Sequence, residues 1–336
     1  MEDIGQNDIF ANIKKDSNSL QVATTKVEKN KNIPIGYIPV ALCSKDKLSP
    51  AILHFRNYSM SELLELSSAV EEKEFETLVN KALNNMVYED FDCAKLHIEN
   101  IKQIVLTIYK NFWNSTLFAR PYYIDVDNLD KEDNTAYIDI NLNKIKTIEI
   151  NDKFKNPFTI EESGLKIKFT LPTVEHVFIA KEAIKEKYSE AEDKFQNLKS
   201  TLRLIDKLTD DKLLEQANAV KYDEKEKEQY DSLLEEKSKD YIRYLQAQLL
   251  YSIDGKVLET IQEKLDAYND KIDALAWVHY NETVKKYAVF GIDPNYTFVV
   301  DGKELTRGFS FRPMVFIPTL DTKTNTKYSV YFDDWV

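Results

Sequence analysis

An α+β fold is what this sequence predicts, and three observations predict it. Between positions 184 and 275 lie two blocks of apolar residues at heptad spacing. Three shorter stripes of helical period precede them, and stretches of apolar–polar alternation flank the helical blocks on both sides. At 336 residues, 43% hydrophobic and 12% aromatic, the chain has enough apolar material for a sizeable core spread over two or three substructures.

Residues 1–31 are rich in Asn, Lys and Ser, with scattered apolar positions such as Ile4, Phe10 and Leu20, and read as a flexible or extended arm. Pro34, Gly36 and Pro39 punctuate the apolar stretch 33–42, which suits an extended segment better than a helix. Ser59 followed three residues later by Glu62 has the spacing of a capping box, and Leu63, Leu66 and Val70 begin a helix behind it. Phe75, Leu78, Val79, Ala82, Leu83 and Met86 make a second helical stripe, and Ile101, Ile104, Val105, Ile108 and Phe112 a third. Arg120-Pro121 is expected to close these helices. Ile138, Ile140 and Leu142 then alternate with polar residues, as do Ile148 and Ile150. Ser163-Gly164 marks a turn before Leu165, Ile167, Phe169 and Leu171, so residues 32–172 form the helix-plus-sheet N-terminal module.

Residues 173–287 are the helical region, with Thr173 as its N-cap. Its first block is Ile184, Tyr188, Ala191, Phe195, Leu198, Leu202 and Ile205; its second is Leu258, Ile261, Leu265, Tyr268, Ile272 and Leu275. A break falls near Thr209-Asp210-Asp211, after which Tyr230, Leu234, Tyr241, Leu245 and Leu249 resume the stripe. Asp254-Gly255 is expected to end that helix and reverse the chain, with the last helix running to about Tyr287. The expected product is a long antiparallel, coiled-coil-like hairpin that packs its apolar seam on itself. Residues 288–336 change texture to short strands, with a turn at Asp301-Gly302, and form a small C-terminal β module. Its aromatics Tyr296, Phe298, Phe309, Phe311, Phe316, Tyr328, Tyr331 and Phe332 exceed what one face of a small sheet needs, which makes them candidates for a partner interface.

The remaining composition argues against most chemistry. A formal charge of −12 leaves no broad basic face to neutralise phosphates. Cys43 and Cys93 are too few for a disulfide framework, no apolar run is long enough to cross a bilayer, and the start MEDIGQNDIF lacks the pattern of an export signal. A soluble protein made in a reducing compartment is expected. With seven glycines the chain carries neither G-x-G-x-x-G nor a P-loop, and Ser115, Ser163 and Ser310 lack a nucleophile context. None of His54, His97, His176 and His279 has a second ligand at metal spacing, so each is expected to be structural; His279, on the heptad face, is expected to be buried. The acidic stretch 125–133 lacks the mid-loop Gly and terminal Glu of a calcium loop, with Ala136 in that last position, and reads as solvated. No catalytic residue, cofactor or metal is expected, and the chain is read as a non-enzymatic protein.

The order of features, texture without a diagnostic motif, carries a resemblance. Ile35-Gly36-Tyr37 precedes Ser59-Met60-Ser61-Glu62-Leu63-Leu64, then Asp90-Phe91-Asp92 ahead of Leu96, then the apolar helix 101–112. The strand pair 138–150 leads to a segment ending Leu171-Pro172-Thr173, and Lys271-Ile272-Asp273 runs on to Gly291-Ile292-Asp293 before aromatic strands. In these features the chain from about residue 32 resembles the baseplate hub and tail-assembly proteins of T-even-like contractile-tailed phages. It departs from family members with paired cysteines near the strands, since Tyr122-Tyr123 and the stretch 296–311 carry none. The resemblance implies a structural virion protein, assembled in the host cytoplasm and located in the tail baseplate. Its implied partners are other hub and tail-tube proteins, with a homo-oligomer as a further expectation. A transient tail-assembly chaperone is the alternative, and a cell-envelope hydrolase a more distant one.

Overall fold

The computed structural model describes residues 33–67, 72–113, 117–123, 135–208, 223–300 and 303–308. The chain divides into two compact units, 1–35 and 36–336, and every element below belongs to the second. That unit is a mixed α+β structure of helices and small antiparallel sheets.

Strand β1 (Ile38–Ala41) pairs antiparallel with β2 (Ile52–Phe55), and the two-residue period buries Val40, Leu53 and Phe55. Helix α1 (Met60–Ser67) starts at the capping box its sequence announces. Ser59 N–H donates to Glu62 Oε2 at 2.7 Å and Glu62 N–H donates to Ser59 Oγ at 3.3 Å. Burial raises the Glu62 carboxyl, but the two-pronged Arg56 guanidinium, at 2.7 and 2.9 Å, and the Ser59 donors outweigh it and hold the pKa below the ordinary value. Helices α2 (Glu72–Met86) and α3 (Ile98–Phe112) turn Val79, Leu83, Met86, Ile104, Val105 and Ile108 into one core. Arg120-Pro121 does not end a helix: α3 stops at Phe112, and both residues lie inside β3 (Leu117–Tyr123), opposite Ile138 and Tyr137 of β4 (Thr135–Asn141). Proline is tolerated there because a two-stranded sheet leaves one edge of each strand without a ladder partner. The short strand β5 (Thr147–Ile148) finds its partner much later in the chain.

Strands β6 (Phe158–Glu162) and β7 (Leu165–Phe169) form a hairpin through Ser163 and Gly164, whose φ values of +53° and +79° suit a tight left-handed turn. Thr173 then caps α4 (Val174–Asp193): its Oγ accepts the His176 N–H at 3.4 Å, and His176 Nδ1 accepts the Thr173 N–H at 3.2 Å. Thr173→Ala is expected to cost about 1 kcal/mol of stability, read as a shift in the urea midpoint. Helix α5 (Gln196–Leu208) follows, then α6 (Glu224–Gln248). Side-chain pairs 188–240, 192–237 and 195–230 show that α6 runs antiparallel to the α4–α5 stretch.

The stripe expected to seal this pairing holds only in part. Tyr230 is buried as expected, but Leu234 is 40% exposed on α6, while Asp240 is buried and Lys237 meets Glu192. The seam is therefore polar over much of its length. Asp240 accepts from Lys187 and, at 2.9 Å, from the Tyr188 hydroxyl. Burial raises its carboxyl, and these donors with Arg243 outweigh that and hold it below the ordinary range. Asp240→Ala is expected to lower the unfolding free energy by roughly 1–3 kcal/mol, because a buried hydroxyl and an ammonium lose their acceptor; urea titration measures it.

Asp254-Gly255 is also not a helix reversal. With φ of +48° and +83° it joins β8 (Leu250–Ile253) to β9 (Lys256–Val257) in a two-residue hairpin. Strand β8 pairs with β7, Ile167 opposite Ile253 and Phe169 opposite Leu250, giving a four-stranded sheet in the order β6-β7-β8-β9. The second heptad block is split between α7 (Ile261–Lys271) and α8 (Ala274–Tyr287), because Ile272 leaves the helix and Asp273 caps the next one by accepting the Ala276 N–H at 2.9 Å. Leu275 consequently ends up 55% exposed. Strand β10 (Gly291–Ile292) pairs with β5, and β11 (Asn295–Val300) with β12 (Lys303–Gly308).

Two cores result. The first combines Leu53, Phe55, Leu83, Ile104 and Leu142 with Val174, Ile292 and Tyr296; the second combines Cys43, Ile150, Phe158, Phe169 and Leu250 with Ala276, Tyr280 and Phe290. Both cross the expected module boundaries at 172 and 287, so the second unit does not separate there.

Candidate functional site: an apolar cleft among helix ends

Beside the second core, four stretches of chain leave a cleft of about 420 Å³. The start of α3 contributes His97 and Glu99, and the β7–α4 connection Leu171 and Pro172. The end of α6 adds Leu245, Gln246 and Leu249, and the end of α8 with the residues after it adds Tyr280, Val284, Ala288, Val289 and Phe290. The Val174 N–H, which donates to the Leu96 carbonyl at 2.9 Å, ties the beginning of α4 to the residue before His97 and holds two sides of the cleft together.

His97 is the N-cap of α3: its Nδ1 accepts the Glu99 N–H at 3.1 Å and its ring lies 4.9 Å from that of Phe290. Burial, reinforced by the nearby Lys102 charge, pushes its pKa down to about 4, so the imidazole is neutral at pH 7. His176, at the start of α4, is lowered to about 4 by burial and by Lys264. Lys264 is itself lowered by burial and donates to the Gln248 carbonyl at 3.2 Å, where it meets the last turn of α6. The Tyr268 hydroxyl donates to Gln246 Oε1 at 2.7 Å, and burial raises the Tyr280 phenol, which stays protonated. Glu99 accepts from Lys102 at 2.7 Å, and its other oxygen lies against Gly291. A neutral imidazole, an ion-paired carboxylate and mostly apolar walls suit the docking of apolar groups more than proton transfer.

The interface candidates are placed differently. Tyr296 is 5% exposed and belongs to the first core, and its hydroxyl accepts the Asn141 N–H at 2.8 Å; it is turned inward because its phenol satisfies the end of β4. Phe298 lies in β11 opposite Leu305, while Phe309, Phe311, Phe316, Tyr328, Tyr331 and Phe332 fall outside the described residues. His279 is not buried: its side chain is 45% exposed and its Nδ1 lies 2.9 Å from Glu162 Oε2, because the helix face it occupies borders the β6 edge. His54 Nδ1 lies 2.6 Å from Glu89 Oε1. Both cysteines are free and buried. The acidic stretch 125–133 lies outside the described residues, among which no group of three or more His, Cys, Asp or Glu could hold a metal ion. No helix among them is long and apolar enough to cross a membrane.

Sequence reasoning missed the cleft itself. Its one local signal is the run Ala288-Val289-Phe290 directly after the charged end of α8, an apolar patch with no helical or strand period to use it. Comparison of the chain with protein-family models, with curated proteins and with solved structures finds no match.

Proposed function

We propose that this chain is an assembly protein that acts through contacts with other proteins and carries out no reaction. Within that class the reading is a structural component of a contractile phage tail, in the baseplate or tail hub. The α4–α6 pair serves as its coiled-coil-like hairpin arm. The order of features from residue 32 onward supports the second step. The first step rests on one structural observation: all four histidines fix the position of an element. His97 and His176 cap helices, His54 meets Glu89, and His279 joins α8 to β6 through Glu162.

Quantitative mass spectrometry of purified particles of the source phage, beside lysate from the same infection, tests the reading. A small integral copy number per particle is the expected result. Presence in lysate alone would make the protein a transient chaperone, and absence from both would sink the phage reading.

A further inference from the structure

We propose that the starts of α3 and α4 form one acid-opened latch, in which proton uptake by His97 and His176 frees both helix starts together at the Leu96–Val174 hydrogen bond while the rest of the second unit stays folded. The phage reading plays no part in this.

Three backbone N–H groups define the latch. Glu99 donates to His97 Nδ1 at 3.1 Å, Thr173 to His176 Nδ1 at 3.2 Å, and Val174 to the Leu96 carbonyl at 2.9 Å. The last is the one backbone hydrogen bond between the two helix starts among the described residues. Leu96 directly precedes His97, and Val174 lies between Thr173 and His176, so the crossing bond has an imidazole acceptor close by on each side. A protonated Nδ1 has no lone pair to offer, and the Glu99 and Thr173 N–H groups then lose their acceptors. Once either start moves, the crossing bond a residue or two away moves with it. Opening also parts His97 from Leu171 and Pro172, which form two sides of the cleft.

Position adds a second penalty for the charged ring. A helix N-terminus carries positive partial charge, and the two imidazoles stand at the N-cap of α3 and in the first turn of α4. The neighbouring charges do not offset this. Around His97 they are Glu99 and Lys102, joined to each other at 2.7 Å; α8 presents Tyr280, a protonated phenol, to the same cleft, and α6 lends it only uncharged residues. Around His176 they are Glu175 of α4 and Lys264 of α7, and the Lys264 ammonium opposes a second cation. The folded pKa of about 4 at both rings agrees with this. Rings released to water return to about 6.5, so opening gains roughly 20-fold per ring between pH 7 and pH 5, and several hundredfold for two rings that open together.

Native-state hydrogen exchange on the full-length chain, corrected for the intrinsic pH dependence of exchange, tests the latch. Between pH 7 and pH 5 the amides of Glu99, Thr173 and Val174 should quicken together by at least tenfold. Urea below the unfolding transition should leave their exchange unchanged, because a local opening exposes little surface. Leu42, whose N–H donates to the Ala51 carbonyl at 2.8 Å in the first core, reports global unfolding and should quicken with urea. The decisive variant is His97→Asn, which keeps a capping side chain without a titrating one and is read at Val174 on the other helix. There the acid quickening should shrink at least fivefold. An undiminished response at Val174 would reveal two independent caps and overturn the latch. Two results on the unaltered chain would overturn it as well, whether or not the variant folds: no acid quickening at Val174, or a Val174 that follows Leu42 in both its pH and its urea dependence.

Discussion

Replacing Gly291 by alanine is expected to lower the unfolding free energy by about 2–4 kcal/mol, from left-handed strain together with overpacking. Gly291 has φ of +114°, a conformation that side chains rarely adopt. A Cβ built there would lie 2.7 Å from Glu99 Oε2 and 2.9 Å from Glu99 Cβ. The carboxylate end could swing aside; the Cβ is fixed to the first turn of α3. Gly291 also pairs with Ile148, so the strain would pull on the only strand pair that joins β5 to the end of the chain among the described residues. Urea titration of Gly291→Ala and of Gly291→Ala/Glu99→Ala measures how much of the loss the outer part of the Glu99 side chain causes. The double variant should recover only a minor part, since truncation removes Cγ and the carboxylate but leaves both the crowding at Cβ of residue 99 and the strained φ. A single variant as stable as the parent would contradict the close approach.

Acid should destabilise the protein between pH 6.5 and 4, before its carboxylates titrate in bulk. His97 and His176 both fall to about 4 in the folded chain from an ordinary value of 6.5. In that window the unfolded chain binds more protons than the folded one, so stability rises with pH; the contribution is whole above about 6.5 and is lost as pH falls toward 4. The cause is burial of each ring, with a lysine charge beside it; in that neutral form each Nδ1 accepts a backbone N–H at a helix start, which a protonated ring could not do. Each imidazole is worth about 2–3 kcal/mol across the window. His97→Asn keeps a capping side chain without a titrating one, and should flatten the dependence of unfolding free energy on pH by about half. An unaltered slope in that variant would remove His97 from the account.

Much of the local structure was legible because it is dictated locally. The capping box at Ser59, the N-cap at Thr173, the stripes that became α2 and α3, and the Ser163-Gly164 turn each depend on residues within a few positions of one another. Asp254-Gly255 was legible as a turn but not as to kind. The same dipeptide closes a helix or a two-residue hairpin, and Leu250-Tyr251-Ser252-Ile253 is too short to announce a strand. The α6 stripe was misread because apolar spacing locates a seam only where the seam is apolar; here Lys237 and Asp240 take inward positions and Leu234 faces out. Nothing local could reveal the cleft, whose walls come from positions as far apart as His97 and Phe290. Tyr296 looked like spare surface because its hydrogen-bond partner, Asn141, is 155 residues away.

The register that places Phe169 of β7 opposite Leu250 of β8 makes the long helical stretch a detour with adjacent entrance and exit. A chain that leaves a sheet and re-enters it one strand over can change the length of its detour without moving either strand. Near the sheet the detour is anchored, since Val174 sits in the first core and donates to Leu96. Beyond the Tyr188–Asp240 contact, Glu192 meets Lys237 of α6 and Lys199 of α5, partners that lie within the detour itself. Related chains are therefore free to vary in arm length through matched insertions in both helices, with the sheet and the cleft unaltered.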